Sequence, residues 1–225
     1  MSRASTPRGD VAREKILQHA VQIFSQRGFD GFTTRELSAR AKVNIAAINY
    51  YFGHKQGLYE AAVEDVHRRL KERANQIFTT EVAPRLFGPL LGGQSGDGAA
   101  GSSTKMATLD LDQLRLIVAR IYQAGRQESA GVRLLLRQVL DGGQSVAELE
   151  AHPLPGTELA AGMLSSMFGL PPTRARANVV AFNLLLGRYL VSDDRSLLAA
   201  FAVDSQEVVE RCVVDTLLGT LSGRA

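Results

Sequence analysis

At 225 residues and 45% hydrophobic content, the chain is long enough to bury a core as one large domain or two small ones. Its apolar runs are broken by Arg, Glu or Gln before the roughly 18 residues that a membrane-spanning helix needs, and the opening MSRASTPRGD lacks the apolar stretch of a secretory signal. The net charge of +3 is uneven: residues 1–73 hold 13 of the 26 basic and 8 of the 23 acidic residues, leaving +5 there and −2 beyond. That is the footprint of a small nucleic-acid-binding head on a neutral body, although a solvated basic face gives the same count.

Taken in order, the pattern is helix after helix. DVAREKILQHAVQIFSQRG places Val11, Ile16, Leu17, Ala20, Ile23 and Phe24 on one stripe, with Asp10 as the expected N-cap and Gly28 as the C-cap. TTRELSARA follows, with Thr33 or Thr34 capping a short second helix. After a turn of about three residues, Asn44 caps a third, IAAINYYF. A longer fourth helix starts near Lys55, carries Leu58, Ala62, Val66, Leu70 and Ile77 inward, and ends near Pro84.

Residues 88–104, GPLLGGQSGDGAAGSST, bury too little apolar surface to order and read as a flexible loop; without a Gly-Lys-Ser/Thr ending or a preceding strand they are not a phosphate-cradling loop. Helical spacing resumes in LDLDQLRLIVARIYQAG, GVRLLLRQVL and TELAAGMLSSMFG, with EAHPLPGTEL, holding Pro153 and Pro155, as a rigid connection between them. The last pair, TRARANVVAFNLLLGRYLV and SQEVVERCVVDTLLGTL, is apolar around more of its circumference than one packing partner covers. Such helices are central in the body or pressed against another chain. The single cysteine, Cys212, lies in this apolar pattern and reads as an inert thiol in a reducing, cytoplasmic setting.

Three short helices, the second and third joined by the turn around AKVN, make a helix-turn-helix, whose second member enters the roughly 12 Å wide major groove of DNA. On this reading Ile48 and Phe52 plug the small core, while Tyr51 and Lys55 stand at its rim near a helix N-terminus that favours anions. The base-reading candidates are Arg35, able to pair with guanine, and Asn49, able to pair with adenine, with Asn44, Ile45 and Ala46 on the leading edge and Tyr50 facing groove or backbone. The phosphate candidates are Thr33, Thr34, Lys42, Ala47 by close approach, Tyr51, His54 and Lys55. Blander alternatives stand beside them: Arg35 as a solvating cation and Asn44 as a cap alone. No histidine or cysteine spacing suggests a metal, and no catalytic constellation is visible, so neither a cofactor nor an enzyme is expected.

The stretch ILQHAVQIFSQRGFDGFTTRELSARAKVNIAAINYYFGHKQGLY resembles the DNA-binding domain of the TetR family of bacterial transcriptional regulators. The resemblance is carried by Ile16, Leu17, Ala20 and Phe24, by Gly28-Phe29, Thr33-Thr34, Ala41 and Val43, and by Tyr51-Phe52 followed by Lys55 and Leu58. It implies an all-α homodimer: residues 1–54 form an arm and a helix-turn-helix, and residues 55–225 form a helical regulatory and dimerisation domain. It implies double-stranded operator DNA and a small-molecule effector as partners, no membrane, and usually repression relieved by ligand. Lys42 replaces the family's common glycine, which suggests a right-handed backbone there, and Asn49 stands where tyrosine is frequent.

An apolar effector cavity could be lined by Tyr122, Met163, Met167 and Phe182 with Arg126 or Arg115 nearby, although ordinary core explains each of them. Leu185, Tyr189, Val209, Val213 and Leu217 are the expected dimer contacts. The competing classes are a helical small-molecule-binding or partner-binding protein with a degenerate helix-turn-helix.

Overall fold

A computed structural model describes residues 7–85, 109–141 and 157–222, with side chains from residue 11 onward and to residue 138 in the middle segment. The expected glycine-rich loop at 88–104 and the Pro153–Pro155 connection therefore lie outside the described residues, apart from Thr157 and the residues after it. Among the described residues every regular element is helical: α1 Pro7–Arg27, α2 Thr34–Ala41, α3 Ile45–Phe52, α4 Lys55–Ile77, α5 Leu111–Gln127, α6 Ser129–Asp141, α7 Thr157–Phe168, α8 Pro172–Val191, α9 Asp194–Phe201 and α10 Gln206–Ser222. A π-helical turn, Phe78–Val82, prolongs α4.

The chain divides into two compact units, one of Met1–Leu70 with Glu128–His152 and the other of Lys71–Gln127 with Pro153–Ala225. The first, the head, contains α1 to α3, most of α4, and α6. Its helices are short and need explicit stops. Gly28 and Gly53 take positive φ at the ends of α1 and α3, a backbone region that glycine enters without the steric cost of a Cβ. Thr33 and Glu36 form a reciprocal capping box at α2 (Thr33 Oγ1 accepts from the Glu36 N–H at 3.2 Å; Glu36 Oε2 accepts from the Thr33 N–H at 3.3 Å). Asn44 caps α3 by accepting from the Ala46 N–H at 2.9 Å.

Three expectations about the head are corrected. α1 begins at Pro7, so Asp10 sits inside the helix and is not its cap; proline is tolerated in a first turn, where no intrahelical acceptor is lost. Val11 is 66% exposed, outside the buried stripe of Ile16, Leu17, Ala20, Ile23 and Phe24. Lys42 has φ 54° and ψ 45°, a left-handed residue closing α2. The replacement of glycine by lysine did not restore a right-handed turn, because the Lys42 N–H bonds Ala39 O and the Val43 N–H bonds Ser38 O only with that twist.

The head's core gathers Phe24, Leu37, Ile48 and Phe52 with Leu58, Ala62 and Val66 of α4. α6 belongs to it as well. Leu134 is fully buried in this core, Gly131 lies so close to Val66 that an added Cβ would sit 2.9 Å from its side chain, and Arg137 donates to Gln26 O at 3.1 Å. Arg69 of α4 pairs with Asp65 at 3.0 Å and with Glu128, which is 6% exposed, just before α6. The head is thus built from more than the residues before position 55.

In the second unit, the body, α8 packs on α7 and α10, and α10 packs on α5. Val209, Val213 and Leu217 are completely buried, and Asn178 donates to Leu221 O at 3.2 Å to tie α8 to the end of α10. A smaller cluster joins Val82, Leu109 and Ile117 to Phe78, Ile121, Met163 and Met167. α9 has no counterpart in the helices expected from the sequence. Its signal was present as Asp193, whose side chain accepts from the Ser196 N–H at 2.9 Å, and this bond is the main reason its carboxyl titrates below the ordinary range.

Candidate nucleic-acid interface

α3 is buried on the Ile48–Phe52 side and open on the other. Its open positions are Ala46, Asn49 and Tyr50, spaced three and four apart and so aligned on one face. Tyr50 is 69% exposed, with its ring edge-on to Tyr51. Ile45 and Ala47 are half-buried beside this stripe. Asn44 is exposed, but its side-chain oxygen is committed to the α3 cap, which leaves only its amide nitrogen free to donate.

No residue of α3 carries a charge. The positive charge beside it comes from α2 and its cap: Arg35, Arg40 and Lys42 are exposed and make no ion pair among the described residues, whereas Arg27 is held by Glu36 at 2.9 Å. Arg35 and exposed Ala39 share one stripe of α2, and Lys42 follows the helix as its left-handed cap. Arg40 was not singled out from the sequence; its signal was only its charge in the last turn of α2.

At the rim, His54 Nδ1 accepts from the Gly57 N–H at 3.0 Å, capping α4. The ring proton is then on Nε2, which remains a donor at the surface. Tyr51 and Thr34 are half-buried and Thr33 is exposed but engaged in its cap. Lys55 is half-buried at the start of α4. Its ammonium lies over the rings of Phe29 and Phe32, 4.7 and 5.0 Å from their centroids, a cation–π arrangement that fastens the start of α4 to the turn before α2.

Met163 and Met167 are in the small cluster, Phe182 and Tyr122 are buried, and Arg126 is bound to Ser192 O at 2.7 Å and to Asp194. Arg115 pairs with Asp215 at 2.7 Å. The Tyr122 hydroxyl is buried without a hydrogen-bond partner among the described residues, and burial pushes its pKa up against the opposing pull of Arg126. Of the expected dimer contacts, Val209, Val213 and Leu217 are spent inside the chain's own core and offer no surface. Tyr189 lies against Phe201, and Leu185 is half-buried. The open apolar surface of α8 is another stripe, a shallow groove of Thr173, Arg176, Ala177, Val180, Ala181 and Leu184, with Leu184 71% exposed.

Two short capped helices joined by a three-residue turn, the second neutral and open on one face, the first cationic, define a helix-turn-helix module. Residues 16–62 match the family described as bacterial regulatory proteins, tetR family. Among curated relatives the chain is 37% identical over 79 residues to "Probable HTH-type transcriptional regulator YttP" of Bacillus subtilis (strain 168), and 38% identical over 84 residues to "HTH-type transcriptional dual regulator CecR" of Shigella flexneri. These matches span 33% and 37% of this chain and only 38% and 36% of the relatives. The fold extends the likeness. A TetR-like transcriptional regulator from Rhodococcus sp. RHA1 superposes with a TM-score of 0.62 over 95% of this chain and 97% of its own, at 17% identity. Residues 16–62 thus match the tetR family, and the fold is that of a TetR-like structure. No described helix is long and apolar enough to cross a membrane.

Proposed function

We propose that the protein is a sequence-specific DNA-binding transcriptional regulator, acting in the cytoplasm as a homodimer on a near-palindromic operator, repressing there until a small molecule releases it. The observation that carries this reading is the neutral, open stripe of Ala46, Asn49 and Tyr50 on α3 beside cations of α2 that have no ion-pair partner among the described residues. Asn49 offers the bidentate amide that suits adenine, Arg35 the guanidinium that suits guanine, and Ala46 a methyl-sized contact for thymine. Thr34, Tyr51 and the Nε2 donor of His54 hold the phosphates and set the register without reading sequence.

One head touches too few base pairs for a specific site, so two must act together on half-sites about one helical turn, or a multiple of it, apart. The open stripe of Ala177, Val180 and Leu184 on α8 is the surface best suited to join two copies. A small molecule bound in the body can release DNA only by favouring one arrangement over another, and a roughly 100-fold preference supplies about 2.7 kcal/mol.

Selection of bound duplexes from random DNA tests the reading. Arg35→Ala and Asn49→Ala should each lose preference at one position of the half-site by about 1–3 kcal/mol. If the wild type enriches no sequence, or both variants enrich the wild-type site unchanged, the assignment is wrong.

A further inference from the structure

We propose that Lys42 grips a DNA phosphate and that the α2–α3 turn keeps it there at a cost in backbone strain. The proposal rests on reading the head as a DNA-binding surface. A non-glycine residue in the left-handed region brings its Cβ against the following carbonyl oxygen, which glycine avoids. Lys42 is one of only two such residues in the described chain, and the turn over-determines it: its N–H bonds Ala39 O, the Val43 N–H bonds Ser38 O, and the Ser38 hydroxyl donates back to Val43 O at 2.6 Å. Strain that the surroundings enforce directs attention to what the side chain does.

What this side chain has is an exposed ammonium with no partner among the described residues, at the end of α2 that adjoins α3. Because α3 carries no charge, any cation beside the groove-facing stripe must come from outside that helix. Its backbone is fixed by three hydrogen bonds, so the cation is presented from a rigid base and less order has to be imposed on binding.

The body supplies an internal control. Ala202 closes α9 with φ 53° and ψ 45°, and the same pair of bonds recurs, Ala202 N–H to Ala199 O and Val203 N–H to Leu198 O. It has the same strain and no charge. Lys42→Gly and Ala202→Gly should therefore each raise the melting temperature of the full chain, by about 2–4 °C for roughly 1 kcal/mol of relieved strain. Only the head variant should touch DNA.

The experiment measures binding of the wild-type protein and of Lys42→Gly, Lys42→Asn, Lys42→Arg and Ala202→Gly to the selected duplex and to an unrelated duplex across a salt series. Lys42→Gly and Lys42→Asn should weaken both duplexes alike, with the slope of log affinity against log salt shallower by about 0.9 per bound head. Per head, the loss at 50 mM salt should exceed that at 200 mM by about 3.5-fold. Lys42→Arg and Ala202→Gly should match the wild type. Wild-type slope and affinity in Lys42→Gly and Lys42→Asn would overturn the phosphate contact alone, whereas a wild type that binds neither duplex would overturn the DNA-binding reading and this inference with it. A melting temperature that rises in Ala202→Gly but falls in Lys42→Gly would overturn the strain.

Discussion

The head and the body are both helical, yet they are held by different physics. α2 and α3 have eight residues each, below the length at which a helix is stable alone, and are closed by side-chain caps at Thr33 and Asn44 and by left-handed or positive-φ residues at Lys42 and Gly53. α8 and α10 run for 20 and 17 residues with little capping, and complete burial of Val209, Val213 and Leu217 keeps them in place. Local chemistry positions α2 and α3 in the head, and long-range packing orders the helices of the body. The DNA-binding surface proposed for the head would profit from that division, because a cap holds the end of one particular helix whereas apolar packing tolerates exchange.

The comparison breaks most severely if the open stripe of α8 is challenged. Leu184→Glu places a charge on an exposed apolar position and should leave the fold of the single chain intact while abolishing the proposed dimer and, with it, the proposed operator binding. Analytical ultracentrifugation at micromolar concentration checks this, and a wild-type protein that already sediments as a monomer removes the α8 contact.

A test inside the head comes next. Leu134→Ala, far along the chain from α3, should cost about 2–5 kcal/mol in denaturant unfolding, because Leu134 is fully buried among α1 and α4. An effect below about 0.5 kcal/mol, the scale of ordinary surface changes, would show that α6 is no part of the head's core.

Lys55 sharpens the contrast at smaller amplitude. With its ammonium over two rings, Lys55→Gln should lower stability by about 0.5–2 kcal/mol and leave the salt slope of DNA binding unchanged. A slope shallower by about 0.9 would return Lys55 to the phosphate set.

The smallest expected effect is at the α2 cap, where Thr33→Ala should cost about 1 kcal/mol. Glu36, the other half of that box, has its pKa lowered first by the Thr33 backbone N–H and then by Arg27. A depressed carboxyl pKa contributes stability above its unfolded value and loses it as pH falls through the folded value. The penalty of Glu36→Gln, measured by thermal melts, should accordingly shrink in acid below the ordinary carboxylate range.

Much of the head was legible in the residues themselves. The threonine and asparagine caps, the glycine stops and the 3.6-residue spacing of Ile16, Ala20 and Phe24 are signals that act within one helical turn, so α1 to α4 and the open face of α3 could be placed without knowing what packs on them. Tertiary structure alone decided the rest. α8 is apolar on nearly every side, and its pattern does not say that Val179 and Phe182 face inward while Val180 and Leu184 stay open. The same ambiguity concealed that Val209, Val213 and Leu217 serve the chain's own core. α6 carries an apolar stripe that fits either unit, and only the contact of Leu134 and Gly131 with α1 and α4 assigns it to the head. Lys42 was misread because residue type biases φ by only about 1–2 kcal/mol, and the hydrogen bonds that close α2 onto α3 outweigh that bias.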